Sequence, residues 1–223
     1  MARKSYQSQL ETLEAAVLSM ADDVLVQFRD AVDVLTSGDS ALADAVITGD
    51  DRLNTTYLDI ERDCIELIAR QQPVASDLRF IASSFKIVTD LERIGDLATN
   101  LARYGREANG GLDEQLPLAK ITTSAEEMVE AAMDAYERGD PDAARAVAVR
   151  DDELDATCKL AMEEVVTGLL ASHSKSPDTD GVDVEAVSRA LLTIRDLERV
   201  GDHAVNISAR TLYMVENDDE LLY

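Results

Sequence analysis

The chain has 223 residues, 46% of them apolar, and its 45 acidic residues against 21 basic ones give a net charge of −24. A charge this negative disfavours direct contact with nucleic acid, because the phosphates would be repelled. Tryptophan is absent, ten glycines and four prolines are few, and alternating β-branched or aromatic residues are almost lacking, which predicts an all-α fold.

Helical spacing of apolar residues predicts three long helices in the first half, over about 5–37, 39–71 and 76–108. Gly38 ends the first of these helices, and the segment Gln71-Gln72-Pro73-Val74 ends the second. Ser76 is the expected N-cap of the third helix. Asn109-Gly110-Gly111 then marks a boundary between the two halves.

The second half repeats this plan, with helices predicted over about 116–138, 140–171 and 183–217. Gly139 ends the first of the three, and Asp140-Pro141 supplies the N-cap and first residue of the next. A polar loop is expected over 172–181. The chain is therefore predicted to form two tandem antiparallel three-helix bundles, as domains 1–108 and 109–223.

A tandem repeat underlies this plan. Residues 90–103 and 196–209 share eight of fourteen identities, and 38–54 and 139–155 share eight of seventeen. Each copy carries two acids four residues apart in a helix, where like charges destabilise, beside a glycine, which also destabilises a helix interior. A local sequence that destabilises the helix and yet occurs in both copies indicates a functional site.

The fold predicts where these acids meet. Residues 80–101 show a heptad pattern of apolar and small residues that faces their own bundle, which leaves the acids on the outward side. Because helices two and three fold back on each other, residue 50 should lie level with residue 97, and a similar pairing holds in the second half. Two acidic clusters are therefore predicted: Asp50, Asp51 and Asn54 with Glu92 and Asp96, and Asp151 and Asp155 with Glu198 and Asp202.

Carboxylates held this close repel one another, so the clusters are expected to bind cations. Oxygen ligands suit hard ions such as Mg²⁺, Ca²⁺, Mn²⁺ or iron. A solvated acidic face without metal is the alternative. Around the clusters, Arg93 and Arg199 can pair with Asp90 and Asp196 at a spacing of three. Asn100 and Asn206 can orient the second acid of each copy. His203, which replaces Leu97 and breaks the symmetry, is a candidate for a ligand or a ligand's support but can also have neither role.

At these residues the sequence resembles the PhoU family of phosphate-uptake regulators. The resemblance covers nearly the whole chain: the basic start, the Gln71–Arg79 turn, and both copies of Asp-Leu-Glu-Arg-Ile/Val-Gly-Asp. It implies two three-helix bundles, often in a homodimer, with multinuclear iron or zinc clusters on paired acidic motifs. Those motifs fall on Glu92/Asp96, Glu198/Asp202 and Asp151/Asp155, whereas Asn54 stands where a fourth carboxylate is expected opposite Asp50.

The resemblance implies a regulator rather than an enzyme. Such a protein restrains the phosphate ABC transporter, whose ATPase subunit is the expected partner, and relays phosphate sufficiency to a sensor kinase. The alternatives are a carboxylate-bridged metal-storage or di-metal oxidase bundle, and a metal-free helical adaptor. Neither histidine has a glutamate three residues before it, which argues against the oxidase class.

The sequence also bears on location. No segment approaches about eighteen consecutive apolar residues and no signal region is evident, so we expect a cytoplasmic protein that meets a membrane only through a partner. Only five basic residues are lysine and the acids are spread along the chain, which suggests a haloarchaeal, high-salt cytoplasm. Cys64 and Cys158 lack any pairing or zinc motif and are expected to be structural thiols.

Overall fold

A computed structural model describes residues 2–109, 117–175 and 184–221, with side chains described over 6–109, 117–170 and 184–221. This part of the chain forms six α-helices: α1 (Ala2–Ser37), α2 (Ser40–Gln71), α3 (Ala75–Ala108), α4 (Leu118–Arg138), α5 (Pro141–Lys175) and α6 (Val184–Glu216). The predicted fold class is confirmed. None of the described helices has the length and apolar character needed to cross a bilayer.

Two repeated turns end α1 and α4. Gly38 and Gly139 adopt left-handed conformations, with φ of 66° and 57°, which glycine reaches without the steric cost of a Cβ atom. The aspartate that follows each glycine caps the next helix. Asp39 accepts hydrogen bonds from the backbone amides of Ala41 and Leu42, and Asp140 accepts the equivalent pair.

Two predicted helix boundaries were wrong. The α3 helix begins at Ala75, with Val74 at the N-cap position and its carbonyl accepting the Leu78 amide at 2.9 Å, so Ser76 lies inside the helix. Val74 itself is extended, with φ of −82° and ψ of 168°, and no side chain caps the helix. The α5 helix continues through residue 175, into the segment assigned to a loop. The rest of that loop and Gly110-Gly111 lie outside the described residues.

The α3 and α6 helices form the centre of the molecule. They pack on each other, and each also packs on the other two helices of its own half. Buried residues of both halves form one continuous cluster. At the junction, the Ser84 and Tyr136 hydroxyls lie 2.8 Å apart, and the rings of Phe80 and Tyr136 stack with centroids 6.3 Å apart. The division into domains 1–108 and 109–223 stays a prediction. The two bundles share the core described here.

The backbones of α1 and α3 meet at Gly105. A Cβ atom added there would lie 2.6 Å from the carbonyl oxygen of Val34 and 2.7 Å from the amide nitrogen of Leu35. Glycine is therefore required at this crossing by the distance between the two helices. Cys64 and Cys158 are buried free thiols in the same interior, where burial raises the pKa of each to about 12.

Candidate functional site

The predicted acidic cluster of the first half forms where α2 runs beside α3. Burial raises the pKa of Glu92, and the charges of Asp96 and Asp50 raise it further. Burial and Asp50 likewise raise the pKa of Asp96, while three arginines lower it. Their side chains are 21% and 44% exposed, so this cluster, which we call the first acidic cluster (Asp50, Glu92 and Asp96), opens to solvent.

The second acidic cluster consists of Asp151, Asp155, Glu198 and Asp202, where α5 runs beside α6. Burial raises the pKa of Asp151 to about 6, with further contributions from Asp155, Asp202, Asp152 and Glu198. Burial and neighbouring carboxylates also raise the pKa values of Asp155 and Glu198. All four predicted acids are therefore brought together.

Two residues predicted for the first half differ from the three acids of this cluster. Asp51 is exposed, and none of the interactions recorded for the described residues joins its side chain to the first acidic cluster. Asn54 does lie in the cluster, but its amide donates a hydrogen bond to Asp50 Oδ2 at 3.0 Å. Asn54 therefore gives one oxygen of Asp50 a hydrogen-bond donor, which makes a cation less necessary at this carboxylate.

The two clusters differ most at the first aspartate of each. Besides Asn54, Asp50 has Thr99 Oγ1 at 3.4 Å, although this hydroxyl also lies 3.2 Å from the Gly95 carbonyl oxygen and has one proton to donate. The buried amide of Gln27 donates to Thr99 Oγ1 at 3.3 Å. Asp151 Oδ1 is buried, with no hydrogen-bond partner among the described residues. The repeat explains this difference, because the positions equivalent to Asn54 and Thr99 hold Asp155 and Val205, which cannot donate.

Close packing encloses the Asp151 carboxylate. A Cβ atom at Gly201 would lie 2.5 Å from Leu154 Cδ2 and 3.0 Å from Asp151 Oδ1. At Gly95, the equivalent residue of the first half, the nearest atoms would be 3.5 Å away. Side chains of α5 therefore pack more closely on Gly201 than side chains of α2 pack on Gly95, and Asp151 Oδ1 is buried at this point.

The donor set of the second cluster fits a hard or borderline cation. All four side chains offer only oxygen, and one of these oxygens is buried and unpaired, which a bound cation would satisfy. Across the described residues, however, no three His, Cys, Asp or Glu side chains are positioned to hold a metal ion as they stand. Binding would therefore require carboxylate rotamers to change.

The cation-free protein should become more stable as the pH falls from about 7.5 to about 5. Asp151 has a pKa of about 6 in the folded chain against 3.8 as the reference value, so folding favours its protonated form. That contribution is fully present below the lower value and is lost as the pH rises through about 6. Urea unfolding in EDTA across this range, on wild type and Asp151→Asn, measures it.

The variant serves as the control in that experiment, because an amide cannot titrate. Other groups change the stability of both proteins alike, so the informative quantity is the difference between their free energies of unfolding. A difference that does not change between pH 5 and pH 7.5 would show that Asp151 titrates as it does in the unfolded chain.

Beside the clusters, α3 and α6 exchange hydrogen bonds in a reciprocal pattern. Asn206 Nδ2 donates to Asp90 Oδ1 at 3.2 Å, and the equivalent Asn100 Nδ2 lies 3.5 Å from Asp196 Oδ2. Each asparagine thus contacts an aspartate of the other repeat copy. The prediction that Asn100 and Asn206 orient the second acid of their own copy was wrong. Antiparallel packing of α3 on α6, which the repeat alone does not specify, is the reason.

The aspartates of the two copies have further partners of different kinds. Asp196 is fully buried and accepts hydrogen bonds from the Arg195 guanidinium at 2.8 Å and from the Tyr104 hydroxyl at 3.1 Å. His203 Nδ1 lies 2.9 Å from Asp90 Oδ1, so its contact in the described part of the chain is with this aspartate.

The predicted arginine pairs are half correct. Arg199 lies 3.8 Å from Asp196. Arg93 lies instead near Glu92 and Asp96, at 3.7 and 3.8 Å, because His203 and Asn206 occupy Asp90. Sequence reasoning also missed Gln27 and Thr99. Thr99 had a signal, since it faces the cluster and is replaced by valine in the second copy, whereas Gln27 had none.

Comparisons with known proteins agree with this architecture. The family model described as PhoU domain matches twice, over residues 17–105 and 118–211. The phosphate-specific transport system accessory protein PhoU homolog of Pseudomonas aeruginosa is 37% identical over 97% of this chain and 87% of its own length. The corresponding homolog of Clostridium acetobutylicum is 33% identical over 96% of each chain.

Solved structures give the same result. The crystal structure of PhoU from Pseudomonas aeruginosa matches with a TM-score of 0.85 and 35% identity, covering 96% of this chain and all of the other. The phosphate transport system regulatory protein PhoU from Streptococcus pneumoniae matches with a TM-score of 0.83 and 25% identity, covering 96% and 98%. With both family matches, the relatives and the six-helix architecture in agreement, the chain belongs to the PhoU domain family.

Proposed function

We propose that this protein regulates phosphate uptake through protein contacts with the phosphate ABC transporter, whose cytoplasmic ATPase subunit is the expected partner. The observation that supports this function is similarity over nearly the whole chain to accessory proteins of phosphate-specific transport systems. A regulator of this kind acts in the cytoplasm, reaches the membrane only through the transporter, and need not be an enzyme. Assembly as a homodimer and a contact with a sensor kinase are further parts of the proposal.

We also propose that cations bind at both acidic clusters and bind more tightly at the second. The buried, unpaired Oδ1 of Asp151 supports this ranking, as does the hydrogen bond that Asn54 already donates to Asp50 Oδ2. Iron, zinc or manganese would be held by the carboxylates of each cluster, and the bound ion supplies positive charge between two helices. The repulsion among the acids of α5 and α6 would then be relieved.

Metal content is the first test of the cation sites. Purified, untagged protein is reconstituted separately with Fe²⁺, Zn²⁺ and Mn²⁺, desalted and measured by plasma mass spectrometry. We expect Glu198→Gln with Asp202→Asn to remove the more tightly held metal, Glu92→Gln with Asp96→Asn to remove the weaker fraction, and the quadruple variant to retain almost none. Equal metal content in wild type and the quadruple variant would rule out both clusters.

Phosphate uptake tests the regulatory role separately. Cells of the native host that lack the gene should take up radioactive phosphate even when phosphate is abundant, and the wild-type gene should restore the restraint. If uptake responds to external phosphate equally with and without the gene, the protein does not regulate this transport. The metal result does not affect that conclusion.

A further inference from the structure

Arg93 lies between the two acids that α3 supplies to the first acidic cluster. Its Nε atom is 3.7 Å from Glu92 Oε2, and its Nη1 atom is 3.8 Å from Asp96 Oδ2. Both distances are longer than a hydrogen bond, so the contact is electrostatic and weakly held. The Arg93 side chain is 56% exposed, and it can therefore turn away from the cluster without disturbing the core.

The charge of Arg93 acts on both of these acids. Burial raises the pKa of Glu92 and that of Asp96, and the positive charge of Arg93 opposes burial by lowering the pKa of each. Arg93 therefore favours the ionised form of both carboxylates. A guanidinium shared in this way serves as a counterion that the chain itself supplies.

The equivalent arginine of the second copy has a different position. Arg199 lies 3.8 Å from Asp196 Oδ1, and its charge lowers the pKa of Asp96 in the first cluster. In the second cluster, burial and neighbouring acids act on Asp155 and Glu198, and every recorded effect raises the pKa. The two copies thus differ in whether the repeated arginine meets the acids beside it.

A divalent cation and the Arg93 guanidinium would compete for the same oxygens. Cations of this kind bind carboxylate oxygens directly, at about 2.0–2.6 Å. An ion on Glu92 and Asp96 would therefore lie beside the guanidinium, and the two positive charges would repel each other more strongly in a partly buried cluster than in water. Arg93 must turn away before a cation can bind both acids, and the loss of its ion pairs opposes binding.

We propose that Arg93 is an internal counterion of the first acidic cluster and competes there with a divalent cation for Glu92 and Asp96. The first cluster then fills only when the cation is abundant, whereas the second, whose arginine lies at Asp196, fills first. The inference rests on the proposed function and deepens it, because it names the residue that sets the affinity of one of the two cation sites.

Titration with Mn²⁺ alone, followed by the electron paramagnetic resonance signal of the free ion, tests this competition. The full chain carries Glu198→Gln with Asp202→Asn, so that binding at the first cluster is followed by itself. We expect Arg93→Gln, which removes the charge, to lower the dissociation constant for Mn²⁺ at least about tenfold. Arg93→Lys keeps a positive charge beside the acids and should stay within about threefold of the protein that retains Arg93.

Arg103→Gln in the same background is the matched control. Arg103 is exposed on α3, and its charge also lowers the pKa of Asp96, but its Nη1 atom donates to Asn100 Oδ1 at 3.3 Å. The control makes the same change of net charge and leaves Arg93 at the two acids. Its dissociation constant for Mn²⁺ should therefore change by less than about threefold.

Several results would overturn the inference. These are an unchanged or weaker affinity for Mn²⁺ in Arg93→Gln, an equal gain in affinity in Arg103→Gln or in Arg93→Lys, and absence of binding at the first cluster with and without Arg93. Mn²⁺ binding at the second cluster, measured with Glu92→Gln and Asp96→Asn, tests the proposed cation sites separately. Phosphate uptake by cells with and without the gene tests the regulatory role, so failure of this inference alone can be recognised.

Discussion

Replacing Gly105 with alanine is expected to lower the free energy of unfolding by about 3 kcal/mol, at the upper end of the usual cost of overpacking. The added Cβ would meet backbone atoms of Val34 and Leu35 at 2.6–2.7 Å, and backbone cannot move aside as a side chain can. The α1 and α3 helices must separate for the methyl group to fit, which would weaken their shared core. Urea unfolding followed by circular dichroism measures the change.

Gly49→Ala is the matched control for this prediction. Gly49 also lies inside a long helix, but a Cβ there would meet nothing within 4 Å. Alanine has the higher helix propensity, so the control should be more stable than wild type by roughly 0.5–1 kcal/mol. If both variants gain stability, the close approach of α1 to α3 at Gly105 is wrong.

Removing the carboxylate of Asp196 should also cost about 3 kcal/mol of folding free energy, from the cavity it leaves and the hydrogen bonds it loses at a buried position. Asp196 is fully buried and accepts hydrogen bonds from Arg195 and Tyr104, with Asn100 at 3.5 Å. Asp196→Ala leaves the Tyr104 hydroxyl and one arginine without this acceptor and opens a cavity in the α3–α6 contact. Urea unfolding at pH 7 measures the loss.

The equivalent substitution in the first copy provides the comparison. Asp90 has a 15% exposed side chain and contacts His203 and Asn206, which water can partly satisfy when the carboxylate is gone. Asp90→Ala should therefore cost roughly half as much as Asp196→Ala. A larger loss from Asp90→Ala than from Asp196→Ala would contradict the difference in burial between the two copies.

Local signals explain why the helices could be predicted from sequence. Gly38-Asp39 and Gly139-Asp140 each combine a left-handed glycine with a capping aspartate, so their chemistry fixes the turn within two residues. The start of α3 was placed wrongly because Ser76 has the side chain of a typical N-cap residue, whereas the helix begins at Ala75, directly after extended Val74.

The positions of the two acidic clusters were predictable because each cluster is formed by two helices that follow one another in the sequence. A short turn fixes the register of α2 against α3, and a similar argument placed Asp151 beside Asp202. Contacts between α3 and α6 were missed, since about a hundred residues separate Asp90 from His203 and no turn fixes their register. The unpaired oxygen of Asp151 also required coordinates, although the change from Thr99 to Val205 in the repeat pointed to it.

The reciprocal bonds of Asn100 to Asp196 and of Asn206 to Asp90 bear on how such a chain could arise. The same residue pair occurs twice, related by the two-fold arrangement of the halves, so two identical single bundles packed through this helix would satisfy both pairs. Gene duplication and fusion of such a homodimer would then keep the asparagines, while Tyr104 and His203, which have no counterpart at the equivalent positions, would be later departures from symmetry. Reconstructed single-bundle ancestors should accordingly be dimers.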